Sequence, residues 1–144
     1  MDSAFEYVFV HGFRMDVPDR RGAILEKWFR QKGIELHQLD AKGGKGHEDA
    51  TITICLEALE DYRKSKGRPL RLIGMSMGGL MSALYASRNP THVDRIILLN
   101  PAVNLKVGQI ARYCNPLQST CRKHGERLQT QIIQQHTTNG RGMV

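Results

Sequence analysis

A chain of 144 residues and 16.3 kDa has material for one hydrophobic core and little room for a second. Its 40% hydrophobic and 24% charged residues exclude disordered, collagen-like and disulfide-scaffold classes. The formal charge of +7 is uneven, because residues 1–104 carry net +2 while residues 105–144, with six basic side chains and Glu126, carry net +5.

In chain order, Phe5 to Val10 is a β-branched and aromatic run that stops at His11-Gly12, and it reads as a largely buried strand. Asp16 to Asp19, with Pro18, precede a helix carrying Ile24, Leu25, Trp28 and Phe29 on its expected core face, ended by Gly33. Ile34 to Leu39 reads as a second strand, followed by a glycine-rich loop from Ala41 to Gly46. Glu48 and Asp49 suit the positive end of a second helix, which places Ile52, Cys55, Leu56, Leu59 and Tyr62 on one side and closes at Gly67 and Pro69.

Leu70 to Ile73 is a third strand, and Met77 to Asn89 a third helix with Leu80, Met81, Leu84 and Tyr85 on one face. Arg95 to Leu99 is the fourth strand. Strands alternating with long helices predict an α/β fold, a mostly parallel sheet with right-handed crossovers and helices on both faces. Beyond Leu105 the pattern fades, and only Leu128, Ile132 and Ile133 hint at an amphipathic helix, so residues 105–144 read as a basic, weakly structured tail.

That tail has no interleaved aromatic platform for bases, so nucleic acid is not an expected partner. No apolar run approaches the roughly 20 residues of a membrane span, and the start lacks a basic-then-apolar leader. The expected location is therefore cytoplasmic. Cys55, Cys114 and Cys121 cannot all pair with one another and read as reduced thiols. Cys114, Cys121, His124 and His136 fit no common zinc spacing, and no metal site is expected.

The most informative segment is Leu70-Arg-Leu-Ile-Gly74-Met75-Ser76-Met77-Gly78-Gly79-Leu80, a G-x-S-x-G sequence that joins an apolar strand directly to a helix. In such an elbow the serine occupies a strained backbone region so that its hydroxyl projects from the carboxyl edge of the sheet. Gly74 and Gly78 relieve crowding in the turn, and Gly79 lets the helix pack closely. Free amides and partial positive charge at the helix start suit a developing oxyanion, which makes the Met77 NH the first candidate donor. The turn Val10-His11-Gly12-Phe13 falls at the same sheet edge if the strands are parallel, and the Phe13 NH is the second. His11 is expected to order this loop rather than to transfer protons. Met75, Met77 and Met81 flank the elbow and could fill an acyl pocket or the core.

On Val8-Phe-Val-His-Gly-Phe13, Gly74-Met-Ser-Met-Gly-Gly79 and Ile97-Leu-Leu-Asn-Pro-Ala-Val103, residues 5–104 resemble the first part of an α/β-hydrolase, in particular the small single-domain serine esterases. The resemblance implies acyl transfer to Ser76 from a small-molecule ester or thioester, a histidine base with an orienting acid, and hydrolysis of the acyl-enzyme. It implies no cofactor.

The chain departs from the family's order of serine, acid, then histidine. The 40 residues after Asn104 contain no aspartate, and offer only Glu126, His124 and His136, none following a convincing strand. Two further strand-helix units of roughly 30 residues each would not fit, so base and acid stay unassigned. Asp40 precedes Ser76 and reads as a turn carboxylate, and Asp94 enters the fourth strand from the opposite end. Two explanations compete: a shortened product of a longer hydrolase reading frame, which is favoured, and an α/β-hydrolase-like binding protein that has lost catalysis. A missing half would leave a sheet edge and helix faces uncovered, which predicts low solubility or pairing with another chain, including self-association through that edge.

Overall fold

The described residues, 4–12 and 14–102 of a computed structural model, run β1 (Glu6–Val10), α1 (Arg20–Gln31), β2 (Leu36–Leu39), α2 (Ile52–Lys66), β3 (Leu70–Met75), α3 (Met77–Arg88) and β4 (Val93–Leu99). They lie within the unit Met1–Val103; residues 105–144, expected to form the tail, lie outside them. The strands form one parallel sheet in the order β2-β1-β3-β4. Val10 registers with Leu39 on one side and Gly74 on the other, and Gly74 with Leu98, so all four strands deliver their following loops to one edge.

Alternation along each strand divides the core between two faces. Val8, Val10, Leu70 and Leu72 pack with Cys55 and Leu59 of α2 and with Met81 and Tyr85 of α3. Phe9, Leu36 and Ile73 face the other way, against Leu25 and Phe29 of α1. Helices cover both faces, as the alternating pattern predicts. Burial pushes the Cys55 thiol up to about 12, with Asp40 adding to the rise, which makes it an inert core group. Among the described residues β4 pairs only with β3, and Ile96 and Ile97 on it are 39% and 54% exposed.

Several local expectations shift. α1 exposes Ile24 (63%) and Trp28 (59%), which were expected on its core face. The cause is Gly22: a Cβ there would lie 2.3 Å from Oε1 of Gln38 and 2.9 Å from Phe9, so the row through Gly22, Leu25 and Phe29 faces the sheet and turns Ile24 and Trp28 outward. Asp19 caps this helix, accepting from the Gly22 NH, while the Asp19 NH donates to Gln38. α2 starts later than the acidic pair suggested, because Thr51 accepts from the Ile54 NH as its N-cap and leaves Glu48 and Asp49 outside. It closes at Gly67, whose φ of 66° is the left-handed cap that glycine adopts freely. β3 extends two residues past Ile73, through Gly74 and Met75, because Ser76 donates its NH to the Leu99 carbonyl and keeps the strand paired to its end.

At the amino ends of the strands, Glu60 of α2 gathers three elements. It accepts from the Tyr85 hydroxyl and from Arg63 (2.9 Å), and lies 3.2 Å from Nδ1 of His92, the residue before β4. The Arg63 guanidinium above all, with Tyr85 and His92, holds the Glu60 carboxyl at about 2 against an ordinary value of 4.5. A carboxyl lowered on folding stabilises the fold above its ordinary value, and that contribution is lost as pH falls toward the folded value. Glu60→Gln is therefore expected to cost about 1–2 kcal/mol near neutrality, and to flatten the decline in stability from pH 4.5 down to 2, measured by urea titration at each pH. Parallel acid limbs for the two proteins would contradict this assignment.

Candidate active site

The carboxyl edge of the sheet carries the backbone strain. Among the described residues, the non-glycine positions with positive φ are Arg14 (56°), Ser76 (52°) and Asn100 (47°), in the segments that follow β1, β3 and β4. Such conformations cost of order 1–3 kcal/mol each and persist where their surroundings over-determine them. Sequence reasoning foresaw the strain at Ser76 alone; nothing around Arg14 signals it.

Ser76 sits between β3 and α3 with φ 52° and ψ −117°, and it is solvent-exposed. Its conformation is held on both sides: its NH donates to the Leu99 carbonyl at 3.0 Å, and its carbonyl accepts from the NH groups of Gly79 (3.0 Å), Leu80 (3.3 Å) and Ala102 (3.0 Å). The glycines around it mark backbone closeness. A Cβ at Gly74 would lie 2.5 Å from the Gly78 carbonyl oxygen and 2.7 Å from the Gly79 Cα. At Gly78 it would lie 2.1 and 2.4 Å from the carbonyl oxygens of Val10 and His11, so this glycine admits the end of β1. At Gly79 it would meet Pro101 at 2.9 Å. On the open side, a Cβ built on Gly12 would lie 3.6 Å from the Ser76 Cβ and 3.7 Å from the Met75 carbonyl oxygen. The turn after β1 thus faces the serine across one van der Waals contact. Phe13 lies outside the described residues. Met77 opens α3, where first-turn amides have no partner within the helix.

His11 is 3% exposed and bridges two loops. Its Nδ1 donates to the Gly12 carbonyl at 2.8 Å, and the tautomer this requires leaves Nε2 to accept from the Ala41 NH at 3.2 Å. Asp40 forms a turn of its own, accepting from the NH groups of Lys42 (3.1 Å) and Gly44 (2.9 Å). Met81 is core, whereas Met75 and Met77, on either side of Ser76, are partly buried against opposite faces of the sheet. A cluster that the sequence did not announce lies on the loops after β1 and β2: Asp16 pairs with Lys42 and lies 3.4 Å from Nε2 of His47. Lys42 above all lowers the Asp16 carboxyl.

The four described histidines are thereby accounted for: His11 ties loops, His47 meets Asp16, His92 meets Glu60, and His37 stacks on Tyr62 at 4.2 Å. No imidazole among the described residues is hydrogen-bonded to Ser76. His124, His136 and Glu126 lie outside the described residues, as do Cys114 and Cys121. No group of three or more His, Cys, Asp or Glu side chains able to hold a metal is present among the described residues.

A parallel sheet in this order, with helices on both faces and a sharp strand-to-helix bend after β3, defines an α/β-hydrolase fold. The profile of the family described as Serine aminopeptidase, S33 matches residues 6–141, and the chain belongs to that family. It is 30% identical over 103 residues to Monoacylglycerol lipase abhd6-B of Xenopus laevis, a match covering 66% of this chain and 30% of the relative. Its fold is similar to the crystal structure of the Paleococcus ferrophilus monoacylglycerol lipase (TM-score 0.60, 22% identity, 69% of this chain and 39% of that one). It is also similar to Est1E of Butyrivibrio proteoclasticus with ferulic acid bound (TM-score 0.57, 22% identity, 77% of this chain and 47% of that one). The chain thus spans less than half the length of each of these relatives.

Two substitutions separate strain from space. Ser76→Gly is expected to stabilise the fold by about 1 kcal/mol, because glycine adopts this φ without penalty and loses only part of the gain to its freer unfolded state. Gly78→Ala, which drives a Cβ into backbone, is expected to cost about 3 kcal/mol or to prevent folding. Both are read from urea midpoints; a destabilised Ser76→Gly would remove the strain assigned to the bend.

Proposed function

We propose that Ser76 is the nucleophile of a serine hydrolase acting on carboxylic esters or thioesters. The observation that carries this reading is the exposed Ser76, held at positive φ on the bend between β3 and α3 and facing Gly12 across a single contact. Its hydroxyl would attack the acyl carbonyl, the alcohol or thiol would leave, and water would release the acid from the acyl-enzyme. The Met77 NH at the start of α3 and the Phe13 NH would receive the carbonyl oxygen as it becomes an oxyanion. Gly74 and Gly78 serve by having no side chain. Names among the relatives, a monoacylglycerol lipase above all, favour oxygen esters of small molecules.

The base and acid are assigned to no described residue. A serine without its base keeps only oxyanion and binding assistance, with turnover lower by several powers of ten. The alternative reading is a binding protein of hydrolase fold, in which Ser76 has no base. Exposed Ile96 and Ile97 on β4 support the accompanying expectation of self-association along that edge. For the described residues, no helix is long and apolar enough to cross a membrane.

A fluorophosphonate probe with peptide mass spectrometry, run beside p-nitrophenyl ester hydrolysis, tests the assignment. The adduct is expected on the peptide containing Ser76 and absent from Ser76→Ala. An adduct accompanied by ester turnover supports the enzyme, and a chain with neither adduct nor turnover supports the binding protein. A wild-type chain that stays unlabelled at Ser76 would reject the nucleophile.

A further inference from the structure

The outward face of α1 presents two large apolar side chains to solvent. Ile24 and Trp28, one helical turn apart, are 63% and 59% exposed, although both are residues that folding ordinarily covers. Their exposed neighbours on the helix are Arg20, Arg21 and Lys27, and the Lys32 ammonium lies 5.7 Å from the centre of the Trp28 ring. Glu26, the one acid of α1, is drawn away, with its carboxylate accepting from Arg30 (2.6 Å) and from Gln38 of β2 (3.1 Å). Glu35, the next acid along the chain, follows the helix beyond Gly33. The result is a small apolar centre of one aliphatic and one indole side chain, rimmed by four cations with no carboxylate among them.

We propose that this face of α1 docks on a bilayer containing acidic phospholipid. An indole is suited to the headgroup level, where its ring is buried and its NH stays wet, and Ile24 beside it would enter the acyl boundary. Two side chains bury too little area to hold a protein on a neutral surface. The basic rim must therefore supply much of the attraction, at roughly a factor of five in partitioning for each cation near an anionic surface. Single-stranded nucleic acid is the weaker occupant, because Ile24 adds nothing to base stacking and one aromatic ring is a minimal platform. The inference uses no property of Ser76, so it stands or falls independently of the hydrolase reading.

Trp28 is the chain's one tryptophan, and its emission reports this face directly. The full chain is titrated with unilamellar vesicles of phosphatidylcholine alone and of phosphatidylcholine with phosphatidylserine. The serine-lipid vesicles are expected to shift Trp28 emission to the blue, bromine-labelled acyl chains to quench it, and added salt to reverse both. Lys27→Gln is expected to weaken partitioning about fivefold; Ile24→Ser, followed through Trp28 emission, should weaken it as well, with far-UV circular dichroism unchanged in both variants. Vesicle binding without any change in Trp28 emission would overturn the proposal and point to another surface, such as the basic stretch 105–144. An equal shift with single-stranded RNA, or a shift that depends on protein concentration without vesicles, would overturn it in favour of nucleic acid or of a second copy of the chain.

Discussion

The backbone crossing at the bend is the contact on which the site depends. β3 enters it, α3 leaves it, and the end of β1 passes against α3 so closely that Gly78 has 2.1 Å between a would-be Cβ and the Val10 carbonyl oxygen. Two backbones this close leave no room for side chains at 74 and 78, and the residue between them must absorb the reversal of direction. That residue is Ser76, at φ 52°. The hydrogen bonds from its NH and to its carbonyl, shared among α3, the end of β4 and the segment after it, over-determine the conformation. Its exposure follows from the same geometry, because the tip of a sharp bend has neighbours on its inner side only.

The two edges of the sheet divide the work. At the amino edge, Glu60 joins α2 to Tyr85 of α3 and to His92 before β4, a polar network that fixes the helices behind the sheet. At the carboxyl edge, the loops carry positive φ, the His11 bridge between the ends of β1 and β2, and the facing of Gly12 and Ser76. Polar pairing thus sits at one edge of the sheet and backbone strain at the other. The chain belongs to the S33 serine aminopeptidase family, and its fold is similar to those of solved lipolytic enzymes. This chain spans 30% of the length of the lipase relative.

Much of the fold was legible because its signals are local. β1 and β3 are short apolar runs ended by turn residues, and α2 and α3 repeat their apolar residues at helical spacing, so Cys55, Leu59, Leu80, Leu84 and Tyr85, placed together on apolar faces, are buried, and Met81, left open between an acyl pocket and the core, is core. The elbow was legible because its glycines and serine are contiguous. What failed depended on distant partners. The rotation of α1 is set by Gln38 and Phe9 meeting Gly22, which no helical period can reveal. The start of α2 turned on Thr51 rather than on the acidic pair before it, since a cap that accepts a hydrogen bond fixes a helix start more sharply than charge does. The Glu60 network and the Asp16, Lys42 and His47 cluster each join residues far apart in sequence, and neither spacing nor composition foreshadows them.

The central claim is that the Ser76 hydroxyl and the Met77 amide face the same small space beside Gly12. Nitrogen-15 NMR of the chain before and after phosphonylation of Ser76 tests it most directly. If the phosphoryl oxygen occupies that space, the Met77 amide proton moves downfield and becomes protected from exchange with water, while amides of the Glu60 network at the far edge stay unchanged. A Met77 resonance that neither moves nor gains protection, in a chain shown by mass to carry the adduct on Ser76, would contradict it.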